Sequence, residues 1–131
     1  TPYYMALEQL RDRQVSFASD VASLGYILIE MLTGRRIFDH CRSMQELIYA
    51  KSVLPERLDS ILPAEVLRDS TLQQLCRKMI AIDPAERFPD ADAAELDRHG
   101  AARFHRDLIV KNLSTEYDRE IAHWIESLHE I

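Results

Sequence analysis

Asp39-His40-Cys41 sets three potential metal-binding side chains next to one another. A closed metal site needs about four donors, usually drawn from two spaced pairs, and no second pair stands at a useful distance in the sequence. No metal site is expected there. The stretch "IDPAERF" at 82–88 places Arg87 in a turn started by Pro84, between Ile82 and Phe88. Those apolar flanks draw the guanidinium inward, and a buried guanidinium must be paired with an anion. Gly25, Gly34 and Gly100 are all the glycines present, too scattered to let backbone N–H groups close on a phosphate. A nucleotide-cradling glycine loop is therefore not expected in these residues. Cys76 falls on an apolar helical stripe and reads as a small core residue. The pair Tyr3-Tyr4 reads as packing rather than as a modification site.

These residues need elements to position them, and helical periods dominate. "FASDVASLGYILIEMLTG" at 17–34 is the strongest segment, with Ser19 or Asp20 as N-terminal cap and Gly34 at the left-handed C-terminal position. Val21, Leu24, Ile27, Leu28, Met31 and Leu32 form one stripe, and Ala22, Tyr26 and Ile29 cover much of the remainder. A helix apolar nearly all round belongs inside something larger than itself. "SMQE" has capping-box spacing from Ser43 to Glu46 and predicts a helix running to about Lys51. Pro55 and Pro63 make 52–69 a loop, with a short helix after Pro63. Leu72, Leu75, Cys76, Met79 and Ile80 predict a third helix after Asp69 or Ser70, stopped by Asp83-Pro84. A fourth starts near Pro89-Asp90 and fades by Gly100. Residues 101–131 give a weaker helix and then a better one from about Thr115. Its stripe, Ile121, Trp124, Ile125 and Leu128, is expected to fold back on the helix at 70–81. The fold class is all-α.

With 131 residues, 47% of them apolar and 29% charged, one soluble domain is the natural expectation. A formal charge of −6 argues against a nucleic-acid partner or an anionic membrane surface. No apolar run approaches the roughly 18–20 residues of a membrane span, and no leader pattern is present. Two cysteines, Cys41 and Cys76, are too few for a disulfide framework, so a cytoplasmic location is expected.

"TPYYMALEQ" at 1–9, "SDVASLGYILIEMLTGRRIF" at 19–38 and "CRKMIAIDPAERF" at 76–88 occur in that order. They resemble the back half of a Hanks-type serine/threonine protein kinase, whose pattern runs T-P-x-Y-M-A-P-E, then S-D-x-x-S-L-G-x-x-L-x-E-M-L-T-G, then D-P-x-x-R. The resemblance implies a C-terminal large-lobe fragment over 1–99, followed by a helical extension over 100–131. It also implies that the chain opens in mid-loop because an N-terminal kinase portion precedes it.

The resemblance implies roles for individual residues. Thr1 matches the threonine of the substrate-docking loop. Pro2 and Met5 match the lining of the pocket for the residue after the phosphoacceptor. Glu8 matches the glutamate of A-P-E, and Arg87 its buried ion-pair partner. Asp20 matches the aspartate that caps the central helix and holds the catalytic loop. Ile27 and Met31 match the apolar column beneath the adenine, although plain core is the simpler expectation for both. Leu7 and Ala22 depart from the family's usual Pro and its Trp or Tyr. ATP and Mg2+ are implied for the parent protein, with no cofactor or metal in this segment, and Ser/Thr-bearing proteins are the implied substrates. The alternative is a pseudokinase-like helical binding module without catalysis.

"HRDLIVKN" at 105–112 fits the family's catalytic-loop pattern H-R-D-L-x-x-x-N. It stands after the other motifs instead of before them, Ile109 replaces the expected lysine, and no D-F-G follows. It reads as a coincidence on a helix, with no catalytic residue expected in this chain.

Overall fold

The computed structural model describes residues 2–129, with the side chains of 111–118 outside that description. Among the described residues all regular structure is helical. A 3-10 turn at Pro2–Tyr4 leads into helix α1, Leu7–Asp12. The long central helix α2 spans Phe17–Thr33. Ser16 caps it: the Ser16 hydroxyl accepts from the Ser19 N–H at 3.3 Å, and the Ser19 hydroxyl accepts from the Ser16 N–H at 3.2 Å. The start therefore lies upstream of both expected caps. Ser16 has the extended backbone (φ −147°) that a cap requires, whereas Ser19 sits three residues on and reciprocates. Gly34 closes the helix as expected, at φ 67° with its N–H on the Glu30 carbonyl at 2.8 Å.

The buried face of α2 differs from the expected one. Ala18, Ser19, Val21, Ala22, Gly25, Tyr26 and Ile29 are buried, while Leu24, Ile27 and Met31 are exposed. The small residues decide this, because they let neighbouring helices approach the α2 backbone. A Cβ at Gly25 would lie 2.7 Å from Ile80 Cγ2 and 2.9 Å from Met79 Cβ. Large side chains at such a contact would hold the helices apart.

Helix α3, Met44–Ile61, starts at Ser43, whose hydroxyl accepts from the Glu46 N–H at 3.1 Å. It does not stop at Lys51 but runs through Pro55, which corrects the expected loop. Leu47, Ala50, Leu54 and Leu58 continue one buried stripe across the proline. Burying two further leucines at about 1.5–3 kcal/mol each offsets the roughly 3 kcal/mol that an interior proline costs. The short helix α4, Ala64–Leu67, follows Pro63, and α5 spans Ser70–Met79 behind the cap Asp69. A 3-10 turn at Pro84–Glu86 precedes α6, Ala91–Leu96, capped by Asp90.

Residues 101–129 form one helix, α7, in place of two. Its beginning is anchored where Phe104 packs on the core. Its far end does not fold back: Trp124 is 62% exposed, and Ile121, Ile125 and Leu128 are exposed with it. The expected packing on α5 is thus overturned. A continuous helix of 29 residues extends about 43 Å, which carries its far end away from a domain this small.

Candidate functional site

The site is built where the loop at 2–6, the N-terminal half of α2 and the turn at 82–87 converge. Glu8 and Arg87 are 79 positions apart, and the structure brings them into a bidentate pair. Arg87 Nη1 donates to Glu8 Oε2 at 2.7 Å, and Nη2 donates to Oε1 at 2.9 Å. The side chains are 1% and 11% exposed. The remaining guanidinium donors are also used. Nε reaches the Ala81 carbonyl at 2.6 Å, Nη1 the Ala18 carbonyl at 3.1 Å, and Nη2 the Ile82 carbonyl at 3.4 Å. All five N–H groups of the fork thus find acceptors, the condition under which a buried guanidinium is tolerated. Burial pushes the Glu8 carboxyl up, but hydrogen bonds from Arg87, its own backbone and Ser19 outweigh it and hold the group below its ordinary value. Ser19, itself buried, donates to Glu8 Oε2 at 2.9 Å and so links the pair to the first turn of α2.

Pro2 and Met5 lie exposed on the surface of this loop, while Thr1 lies outside the described residues. Pro2, Tyr3, Cys41, Arg42, Ser43, Met44 and Leu47 line a shallow pocket beside it. Tyr4 donates to Glu30 Oε1 at 2.6 Å, and Glu30 Oε2 accepts from the Ile37 N–H at 3.0 Å. The Tyr4–Glu30 hydrogen bond, more than burial, raises the Tyr4 phenol above its ordinary value. Asp20 is exposed in the first turn of α2 with no hydrogen-bond partner among the described residues. Its expected capping role is performed by Ser16. Ile27 and Met31 are 41% and 76% exposed, so neither is core of this chain. The structure therefore joins Glu8 to Arg87 and leaves Asp20, Ile27 and Met31 on an open face of α2.

Lys51 is the residue that sequence reasoning missed. It is buried at 1% exposure, and its ammonium donates to the carbonyls of Pro2 at 3.0 Å, Tyr3 at 2.8 Å and Met5. The signal was present: Lys51 occupies an i+4 position on the stripe of Leu47, Leu54 and Leu58.

"HRDLIVKN" lies wholly within α7, where Asp107 pairs with Arg103 at 3.2 Å one turn away. No loop presents it. Among the described residues no three His, Cys, Asp or Glu side chains gather as metal ligands. His40 and Cys41 contact each other at 3.8 Å without further donors.

The sequence pattern of the protein kinase domain matches residues 1–100. Serine/threonine-protein kinase PksC of Streptomyces coelicolor is 35% identical over 97 residues, 71% of this chain and 16% of its own length. Serine/threonine-protein kinase PknA of Corynebacterium glutamicum is 30% identical over 96 residues, 73% of this chain and 19% of its own length. Serine/threonine-protein kinase PknD of Chlamydia trachomatis serovar D is 40% identical over 89 residues, 67% of this chain and 9% of its own length. The chain belongs to the protein kinase family, as an all-α segment of its domain. It spans less than a fifth of the length of these curated relatives. Among the described residues no helix is long and apolar enough to cross a membrane.

Proposed function

We propose that this segment is the substrate-docking and structural part of a protein that transfers the ATP γ-phosphoryl group to Ser or Thr of protein substrates. The observation that carries the reading is the buried Glu8–Arg87 pair. It ties α1, the helix that directly follows the loop at 2–6, to the turn before α6, in a chain whose sequence matches the kinase domain. Phosphoryl transfer asks a protein mainly for positioning and electrostatics, and a docking loop that leads into a helix pinned by a buried ion pair supplies positioning. Thr1, Pro2 and Met5 take the docking roles, and Asp20 holds the catalytic loop of the missing portion. Ile27 and Met31, on the open face of α2, pack against that portion in the complete domain.

ATP and Mg2+ belong to the parent protein and not to these residues. The three scattered glycines of the sequence offer no phosphate cradle. No catalytic step is assigned to this chain, which is expected to be inactive alone. The test is phosphorylation of a generic protein substrate with Mg2+ and ATP. The complete protein is expected to produce phosphoserine or phosphothreonine, and the 131-residue chain none. A second reading, a binding module without catalysis, is favoured by the exposed Leu24, Ile27 and Met31. A complete protein that binds partners without phosphorylating them would establish it.

A further inference from the structure

We propose that Lys51 is the positioning residue of the loop at 2–5, its charged ammonium fastening three of that loop's carbonyls at once. An ammonium has three N–H donors and no acceptor, and Lys51 meets three carbonyls: Pro2 at 3.0 Å, Tyr3 at 2.8 Å, and Met5. The number of donors matches the number of acceptors. Its Nζ also lies 4.6 Å from the Tyr26 ring centroid and 5.0 Å from that of Phe38, both within cation–π range. Among the described residues no carboxylate stands within ion-pair distance of it.

A leucine or methionine would fill this place on the α3 stripe without the cost of desolvating a charge. A lysine there is explained by what its charge holds. The neutral amine keeps two N–H groups and presents a lone pair, so at least one loop carbonyl loses its donor on deprotonation. Burial pushes the Lys51 ammonium down to about 7, which brings that loss within reach of ordinary solution conditions. The charged form is favoured in turn by the carbonyls and ring faces around it. The titratable groups facing it are Tyr26 on α2, pushed up to about 12 by burial, and Cys41 before α3, raised by burial and by Glu46. His40 adjoins Cys41 at 3.8 Å and is the neighbour whose influence must be separated.

The fastening itself does not depend on the docking reading; only its consequence for substrate rests on that reading. The experiment is amide hydrogen exchange by NMR on the 131-residue chain, diluted until light scattering gives the monomer mass, at pH 6 and pH 8.5 and corrected for intrinsic exchange rates. Wild type, Lys51→Met and, as control, His40→Gln are compared. The loop reporters are the Met5 and Ala6 amides, which bond to the Pro2 carbonyl and the Gln9 side chain. In Lys51→Met their exchange is expected to quicken by about tenfold or more while the amides of α5 keep their protection. Wild type and His40→Gln should lose loop protection between pH 6 and 8.5, and Lys51→Met should show no such response. Unchanged loop exchange in Lys51→Met, or a pH response that persists in it, would overturn the proposal. Should Lys51→Met not fold, side-chain NMR of wild-type Lys51 decides: its titration midpoint must coincide with that of the loop amides, and a mismatch refutes the link. In the complete protein, Lys51→Met should raise KM for protein substrate and leave KM for ATP unchanged. A loosened loop with unchanged substrate KM would overturn the docking reading while leaving the fastening intact.

Discussion

Replacing Glu8 by Ala tests the central ion pair most sharply. Arg87 would keep its contacts to the carbonyls of Ala18, Ala81 and Ile82 but lose both bonds to the carboxylate. Its side chain is 1% exposed, so water cannot readily replace them. Each hydrogen bond to a charged group contributes about 1.5–3 kcal/mol, and stranding one member of a buried pair costs about 3–5 kcal/mol. Ser19 also loses its acceptor on Glu8. The expected destabilisation is about 3–5 kcal/mol, a large part of the 5–15 kcal/mol that holds a typical domain together. Urea unfolding followed by circular dichroism at low protein concentration measures it. Arg87→Met and the double variant complete the cycle, and the double variant should cost much less than the sum of the singles. A loss below about 1 kcal/mol, the range of exposed pairs, or strict additivity of the two singles would refute the reasoning.

The same pair gives an acid limb to stability. Because the folded-state pKa of Glu8 is lowered from 4.5, its contribution is fully present above that value and is lost as pH falls through the folded pKa; Glu8→Gln should flatten this limb in pH-dependent urea titrations. Gly25→Ala is expected to cost about 1–3 kcal/mol by urea unfolding, since the new methyl would stand 2.7 Å from Ile80 Cγ2 and 2.9 Å from Met79 Cβ. Trp124, 62% exposed, should emit as a solvated indole and be quenched freely by acrylamide, with Trp124→Ala changing stability by less than about 0.5 kcal/mol. A blue-shifted, protected emission would show that α7 is covered. The exposed Leu24, Ile27 and Met31 on α2 should make the chain self-associate, so light scattering is expected to give a mass above 15.2 kDa that rises with concentration.

Local signals in the sequence survived into the structure wherever one side chain and its nearest backbone decide the outcome. Ser43, Asp69, Asp90 and Gly34 all terminate helices where capping chemistry places them. Arg87 was legible because its apolar neighbours force burial and burial forces a partner, although Glu8 as that partner came from the family pattern. Features set by tertiary contact were not legible. The stripe of large residues on α2 counts hydrophobicity, whereas the small residues Ala18, Ala22 and Gly25 decide which face other helices can reach. Pro55 looked like a break because local propensity cannot register the leucines on either side that hold α3 together. Lys51 was passed over because long-range carbonyls, not its own helix, account for its charge.

The most direct measurement is phosphoamino-acid analysis by mass spectrometry after incubating the complete protein with Mg2+, ATP and a protein substrate, alongside its Glu8→Ala variant and the isolated 131-residue chain. The complete protein is predicted to leave phosphate on Ser or Thr, the Glu8→Ala variant to leave far less, and the isolated chain to leave none. Absence of transfer by the complete protein, or transfer by the isolated chain, would contradict the account.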